Sequence, residues 1–163
     1  FTAAGDATDL DACLAAYDEQ LGRTALFDTV FVDAPCSGTG TMRRHGEIPW
    51  RLTPQECDRD LPELQLELLR EAACRVGAGG QLIYATCSVL RAENSQVVTQ
   101  FLGSPEGEGF APMPLSDALV AAGPAYSGAA EDIAAHEIPI GTFQSYPHQG
   151  GFDGHFCARF VRI

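Results

Sequence analysis

Two short apolar runs decide the fold: DTVFVD at residues 28–33 and QLIYAT at residues 81–86. Each run is followed by a polar turn, which is the pattern of a buried strand in a parallel sheet. Between them, the motif D-L-P-E at residues 60–63 predicts a helix start, with Asp60 as the N-cap and Glu63 as its capping-box partner. This order of elements predicts an open α/β sheet in which the two strands are parallel.

The helix that begins at Asp60 is predicted to bury one apolar face and to end at the glycines of residues 77–80. The side chains spaced for that face are Leu61, Leu64, Leu68, Ala72 and Val76. A second helix is predicted over residues 93–102, after the second strand. Its inward side chains are expected to be Val97, Val98, Phe101 and Leu102.

The last third of the chain has a different character. Residues 103–132 are rich in Gly, Pro, Ala and acidic side chains, which indicates a long loop or loosely ordered insert, with a short helix around 117–121. Residues 142–147 and 155–163 alternate in polarity and are separated by a Gly-rich turn. They are predicted to close the domain as an antiparallel pair.

Composition and charge exclude some classes of function. The chain has 163 residues, a size that fits one domain, and its net charge is −12, with ten Arg and no Lys. This balance argues against binding nucleic acid by bulk electrostatics, so any such role requires a local basic patch. No apolar run approaches the roughly 18 residues of a membrane span, and the start does not resemble a secretion signal. We therefore expect a cytoplasmic protein with no membrane partner.

The six cysteines have no C-x-x-C spacing, and the four histidines are scattered, so neither a disulfide framework nor a metal site is expected. Four of the thiols are interpreted as small buried hydrophobes: Cys13, Cys57, Cys74 and Cys157.

The remaining two cysteines stand just past the ends of the two predicted strands. Cys36 lies in D-A-P-C-S-G-T-G at residues 33–40, and Cys87 lies in A-T-C-S at residues 85–88. Because ligands bind at the carboxyl ends of the strands in open α/β sheets, both thiols are expected to face one crevice. A thiolate in such a place can act as a nucleophile, although a buried structural cysteine is the commoner role.

A basic, aromatic segment follows the first motif. Arg43, Arg44 and Arg51 surround Trp50, the only tryptophan of the chain. Arginine forks beside an aromatic plane are typical of contacts to the phosphates and bases of single-stranded RNA. A solvated loop with a packed Trp is the alternative.

Together, the motifs D-A-P-C-S-G-T-G, R-R-H-G-E-I with W, T-C-S and E-N resemble those of the RNA cytosine-5 methyltransferases of the NOL1/NOP2/Sun group, most of all the bacterial Sun-type enzymes of 16S ribosomal RNA. The resemblance covers residues 5–102 and extends to the closing strands at 150–162. It implies a Rossmann-like class I methyltransferase fold, S-adenosylmethionine as methyl donor, and RNA as substrate, with ribosomal RNA favoured over transfer RNA.

The resemblance also implies roles for individual residues. Cys87 attacks carbon 6 of the target cytosine, and Cys36 assists release of the methylated RNA. The cofactor side is expected to contain Asp6, at the position that contacts adenine, with Asp33 and Pro35. Asp33 is expected to line the base pocket as well and is counted with the two cysteines among the catalytic residues. The RNA side is expected to contain Arg43, Arg44, Trp50 and Arg51. Cys36 remains a rival nucleophile, because DNA cytosine-5 methyltransferases use the cysteine of their P-C motif.

The sequence departs from the family pattern at Arg91, where Pro is common, and at Pro49, where Lys is usual. The family sheet has the strand order 3-2-1-4-5-7-6, and this chain is expected to hold strands four to seven, without the glycine-rich cofactor loop. The isolated chain is therefore expected to be inactive, and a non-catalytic RNA- or protein-interaction remnant is the alternative function. A thiol hydrolase is disfavoured because no histidine lies near these strand ends.

Overall fold

The computed structural model describes residues 2–138 and 141–163, which form a mixed sheet covered by helices. The strands are β1 (Phe27–Asp33), β2 (Val76–Thr86), β3 (Phe110–Pro112), β4 (Glu137–Ile138), β5 (Thr142–Gln144) and β6 (Phe156–Arg162). The helices are α1 (Leu10–Leu21), α2 (Ile48–Arg51), α3 (Leu61–Cys74), α4 (Ser95–Leu102), α5 (Leu115–Ala122) and α6 (Ser127–Ala134).

The sheet has the strand order β1-β2-β6-β5-β4, and β3 also pairs with β6. Strands β1 and β2 are parallel, with Asp33 opposite Ala85. Strand β6 is antiparallel to both β2 and β5. The expected order 4-5-7-6 is therefore confirmed, with β1, β2, β6 and β5 in those places, and so is the closing antiparallel pair.

Strand β1 pairs with β2 only, among the described residues, and is less buried than its sequence suggested. The side chain of Phe31 is 59% exposed. By contrast, β2 and β6 alternate strictly between buried and half-buried residues over their paired lengths. The core lies between these central strands and helices α3 and α4. Its largest fully buried side chains include Tyr84, Phe101 and Phe160.

The helix before β2 begins earlier than predicted. Asp60 has helical backbone angles and its side chain makes no capping bond. The capping box is instead formed by Thr53 and Glu56, in which the Thr53 N–H donates to Glu56 Oε2 (2.8 Å) and the Glu56 N–H donates to Thr53 Oγ1 (3.2 Å). A π-helical turn over Glu56–Asp60 then leads into α3.

The buried face of α3 matches the predicted one only in part. Ala72, and Val76 beyond the end of the helix, are buried as predicted. The three leucines of the predicted face, Leu61, Leu64 and Leu68, are only half-buried, because they line open grooves beside β1 and Cys36. The buried residues of α3 are Pro62, Gln65, Leu69, Ala72 and Ala73.

Two segments differ in kind from their predictions. The glycines of residues 77–80 do not end the helix but lie inside β2, where the register with β1 shifts between Phe27 and Thr29. Residues 103–132 are not a loose insert, because they contain β3, α5 and part of α6. The short helix expected around 117–121 is α5. Helix α4 begins at Ser95, two residues after the predicted start, and it buries Val97, Val98 and Phe101 as expected.

Candidate active site

The two strand-end cysteines meet at the carboxyl edge of β1 and β2, as predicted. Their Sγ atoms are 3.3 Å apart, and both side chains are half-buried free thiols. Two backbone hydrogen bonds hold the loops together: Ala34 N–H donates to Ala85 O (3.0 Å) and Gly40 N–H donates to Cys87 O (2.9 Å). The parallel ladder therefore continues into the loops and fixes the thiols side by side.

The two thiols do not have equivalent surroundings. Burial raises the pKa of Cys36, and the hydrogen bond with Cys87 acts in the same direction. Backbone N–H groups of Gly38 and Cys87 offset only part of this effect. These effects favour the protonated form of Cys36, whose sulfur lies 3.3 Å from that of Cys87.

A buried carboxylate lies beneath both cysteine loops. Glu93 is fully buried and accepts hydrogen bonds from Ser37 N (2.8 Å), Ser88 Oγ (3.0 Å) and Gln65 Nε2 (3.1 Å). Ser37 directly follows Cys36, and Ser88 directly follows Cys87. A single side chain thus fixes the residue next to each thiol. The sequence showed Glu93 only as part of an E-N motif before a helix, and nothing in that pattern indicated burial.

The next residue, Asn94, extends this network to the other side of β2. Its Oδ1 accepts from Thr86 Oγ1 (2.7 Å), and its Nδ2 donates to Ser88 O and to Gln144 Oε1, both at 2.9 Å. Gln144 in turn donates to the carbonyl of His155 (3.1 Å). The ends of β2, β5 and β6 are therefore tied to the loop of Cys87 by side-chain amides.

The glycines of the first motif allow a close approach of three backbone segments. A Cβ atom on Gly40 would overlap the carbonyl of Gly154 and lie 2.8 Å from Cys87 O. The Gly154 N–H donates to Gly40 O (2.9 Å). Only glycine fits at position 40, because any side chain would separate the Cys87 loop from the segment before β6.

The arginine segment lies at the same sheet edge. Trp50 is 91% exposed, so the alternative of a packed Trp is wrong. Arg44 forms an ion pair with Asp153, and Arg43 lies 3.8 Å from the same carboxylate, yet both guanidinium side chains remain 60% exposed. Arg51 is exposed as well. The segment therefore presents three cations and an aromatic plane to solvent, held to the edge by Asp153.

The residues expected on the cofactor side line a separate groove. Asp33 and Pro35 are exposed at the end of β1, in an open groove of 270 Å³. The other lining residues are Ala7, Leu10, Val30, Phe31, Val32, Leu68 and Ala72. Asp6, which precedes the lining residue Ala7, is exposed, and hydrogen bonds from the Thr8 N–H and hydroxyl lower the pKa of its carboxyl. The groove thus combines an apolar floor with the carboxylate of Asp33.

The other four cysteines differ in exposure. Cys13, Cys57 and Cys157 are half-buried, whereas Cys74 is exposed and does not act as a core side chain. No group of three or more His, Cys, Asp or Glu side chains is placed to hold a metal ion in the described residues. None of the helices in that part of the chain has the length and apolarity of a membrane-crossing segment.

The architecture is that of a Rossmann-like methyltransferase. A methyltransferase homologue from Pyrococcus horikoshii superposes on it with a TM-score of 0.64 at 20% identity, over 98% of this chain and 43% of that one. The sequence, over residues 4–161, matches the family described as 16S rRNA methyltransferase RsmB/F. The chain belongs to this family, as the resemblance predicted.

Curated relatives show the same relationship. Ribosomal RNA small subunit methyltransferase B of Pectobacterium carotovorum is 36% identical over 140 residues, which is 84% of this chain and 27% of the relative. The enzyme of the same name from Pectobacterium atrosepticum is 36% identical over 149 residues, 90% of this chain and 29% of the relative. The chain therefore spans less than a third of the length of these relatives.

Proposed function

We propose that this chain forms the catalytic part of an S-adenosylmethionine-dependent RNA methyltransferase that acts on carbon 5 of a cytosine, with Cys87 as the nucleophile. The observation that carries the proposal is the pair of thiols at 3.3 Å, at the carboxyl ends of adjacent parallel strands, in a member of an rRNA methyltransferase family. One thiol can bond to the base while the other serves its release.

The chemistry assigns the two thiols different tasks. The sulfur of Cys87 adds to carbon 6 of the cytosine, which makes carbon 5 a nucleophile. After methyl transfer, a base removes the proton from carbon 5, the bond between carbon 6 and sulfur breaks, and the sulfur leaves with the bonding electrons. The raised pKa of Cys36 favours it as the proton donor to that leaving sulfur rather than as the attacking thiolate.

The groove beside β1 fits the methyl donor. Its apolar floor suits an adenine ring, and the exposed carboxylates of Asp6 and Asp33 can accept hydrogen bonds from the adenosine part. Pro35 forms the wall between this groove and Cys36. The cofactor supplies an electrophilic methyl group when bound, and the protein's part is to hold it over the edge of the cysteine crevice.

The RNA is held by the exposed arginine segment. Arg43, Arg44 and Arg51 can contact phosphates, and Trp50 can stack on an unpaired base. The family favours small-subunit ribosomal RNA as substrate, with transfer RNA as a second possibility, and such a substrate implies a cytoplasmic protein. The target base must leave its stack to reach Cys87, which the open crevice permits.

We further propose that the 163-residue chain alone does not methylate, because its candidate cofactor groove is an open one of 270 Å³ beside β1, where Phe31 is 59% exposed. Calorimetry of this chain with S-adenosylmethionine should give no binding in the micromolar range. Micromolar binding would contradict this part of the proposal, and the chain would then be tested directly for methyl transfer.

The decisive test compares cysteine variants in the natural polypeptide that carries this sequence, with unmodified small-subunit rRNA as substrate. Cys87→Ala should abolish methyl transfer. Cys36→Ala should still transfer the methyl group but should accumulate a covalent protein–RNA adduct. Cys157→Ala, which changes a half-buried thiol outside the site, is the matched control and should behave as the wild type. Reversed roles for Cys36 and Cys87 would refute the assignment.

A further inference from the structure

A second cavity lies at the same sheet edge as the cysteines, beyond β6 and β5. Its volume is 470 Å³, in the size range of small-ligand pockets. The residues that carry the argument are His136, Phe143, Ser145, Phe152, Asp153 and His155. No role has been assigned above to the four rings of this set.

Backbone contacts join this cavity to the active site. Its wall contains Asp153 and His155, and the residue between them, Gly154, donates its N–H to Gly40 O (2.9 Å). Gly40 in turn donates to Cys87 O (2.9 Å). Two successive hydrogen bonds therefore connect the cavity wall to the backbone of Cys87. An RNA strand with its target base at Cys87 would therefore bring a neighbouring nucleotide to this wall.

The lining chemistry suits an unstacked base. Phe152 is 71% exposed, so its ring is accessible to a planar ligand, and the rings of His136 and Phe143, which also line the cavity, lie 6.1 Å apart. RNA-binding proteins stack unpaired bases on Phe and His side chains and contact base edges with polar groups. Ser145 and the histidines supply such polar groups here.

The charges at the rim suit the phosphate of the same nucleotide. Asp153 is the acidic wall residue nearest the arginine segment, and its charge is met by Arg44 and Arg43. Both guanidinium groups are nevertheless 60% exposed, so each can still bind a phosphate oxygen. Aromatic faces inside and cations at the rim match a nucleotide better than they match an apolar protein segment.

We propose that this cavity, here called the flanking-base pocket, binds the base of a nucleotide adjacent to the target cytosine, with Phe152 as the stacking face. The inference rests on the proposed function, since it needs the RNA strand to run past Cys87. It adds a second contact to the strand, which would help to select the sequence around the target.

The test uses single-stranded RNA oligonucleotides with one cytosine and with 2-aminopurine on either side of it, a base whose fluorescence is quenched by stacking. The natural polypeptide that carries this sequence should quench the probe at one of the two positions. Phe152→Ala should remove the quenching and weaken binding by about fivefold or more, because one base–aromatic stack contributes ~1–3 kcal/mol. Phe152→Tyr should restore both.

The matched control is Tyr126→Ala, which removes an exposed aromatic ring outside the cavity and should leave quenching unchanged. Quenching that survives in Phe152→Ala, or no quenching at either position while the wild type binds the oligonucleotide, would overturn the flanking-base pocket. The second result would point to a different occupant, such as a protein partner. Methyl transfer is measured in parallel: a wild type without it would overturn the proposed function, whereas an active Phe152→Ala with unchanged KM would overturn the pocket alone.

Discussion

Strand β2 has a buried charged side chain beyond each of its ends, and the two are satisfied in opposite ways. Arg75, just before β2, is 3% exposed and pairs with Asp11 (2.6 Å) and Asp18 (2.8 Å), both on α1. Glu93, beyond the other end, is fully buried and, within the described residues, accepts hydrogen bonds from uncharged donors, two of them in the cysteine loops.

This difference indicates that Arg75 has a structural role, whereas Glu93 positions the two cysteine loops. The acidic partners of Arg75 belong to one helix, and Asp11 is 88% exposed, so that cluster anchors α1 to the sheet. The donors of Glu93 come from three segments that meet only at the site, so that cluster sets the distance between Cys36 and Cys87. A network of this kind rigidifies its surroundings when every member is satisfied.

Among the variants that compare the two clusters, Glu93→Gln has the largest expected effect. The Ser37 N–H and the Ser88 hydroxyl would lose a charged acceptor, and the new amide would point a donor at one of them. Hydrogen bonds to charged groups contribute about 1.5–3 kcal/mol, so methyl transfer should fall by about 100-fold. The measurement is kcat in multiple-turnover methylation by the natural polypeptide that carries this sequence.

The control for this variant is Glu67→Gln, which neutralises an exposed glutamate on α3. It should leave kcat unchanged. If Glu93→Gln retained kcat within about threefold of the wild type, Glu93 would be a structural charge like Arg75, and the contrast between the two clusters would fail.

Arg75→Met should give the next largest effect, on stability alone. Its acidic partners can rotate into water, so the loss of unfolding free energy should be about 1–3 kcal/mol, below the cost of stranding a fully buried charge. Urea unfolding measures this loss, with Arg23→Met, at an exposed arginine, as the control. The value of kcat for the folded protein should not change, and a hundredfold drop would show that α1 takes part in catalysis.

The smallest expected effect is on the pH dependence of stability. The groups near the two ends of β2 should change the unfolding free energy with pH in opposite directions. Hydrogen bonds from Arg75 and Ala25 lower the pKa of Asp18 from its ordinary value of 3.8. Their contribution to stability is therefore present above pH 3.8 and lost as the pH falls below it. Burial raises the pKa of Cys36 from 9.0 to about 12, so its contribution is present below pH 9 and lost as the pH rises toward 12.

One variant tests the acid part of this pH dependence, and another tests the alkaline part. In Arg75→Met, the unfolding free energy should fall less than in the wild type as the pH drops below 3.8. In Cys36→Ala, it should fall less than in the wild type as the pH rises from 9 toward 12. An acid part unaffected by Arg75→Met would show that Asp18 owes its low pKa to other groups.

The sequence predicted the fold where the signal was local. The apolar runs that became β1 and β2, and the alternation in β6, require only neighbouring residues to be read. Helix limits were less accurate because D-L-P-E at 60–63 and T-P-Q-E at 53–56 both fit a capping box, and tertiary packing favours Thr53 with Glu56. The glycines of 77–80 fit a helix stop as well as a strand with a register shift, and only the pairing with β1 distinguishes the two.

Part of the candidate site was predictable because it depends on the same local strand signals. The convergence of Cys36 and Cys87 follows from parallel strands ending at one edge. The Glu93 network could not be predicted, because its donors at Ser37 and Gln65 are 56 and 28 residues away along the chain. The pairing of Asp153 with Arg43 and Arg44 joins parts of the sequence that lie still further apart.

The central claim is that Cys87 bonds to the RNA while Cys36 serves the release. The most direct measurement is peptide mass spectrometry of the covalent adduct formed by Cys36→Ala in the natural polypeptide that carries this sequence, with S-adenosylmethionine and unmodified rRNA. The account predicts a methylated cytidine nucleotide attached to the peptide that contains Cys87, and no adduct when Cys87 is also changed to Ala. An adduct on any other residue, or its survival in the double variant, would contradict the account.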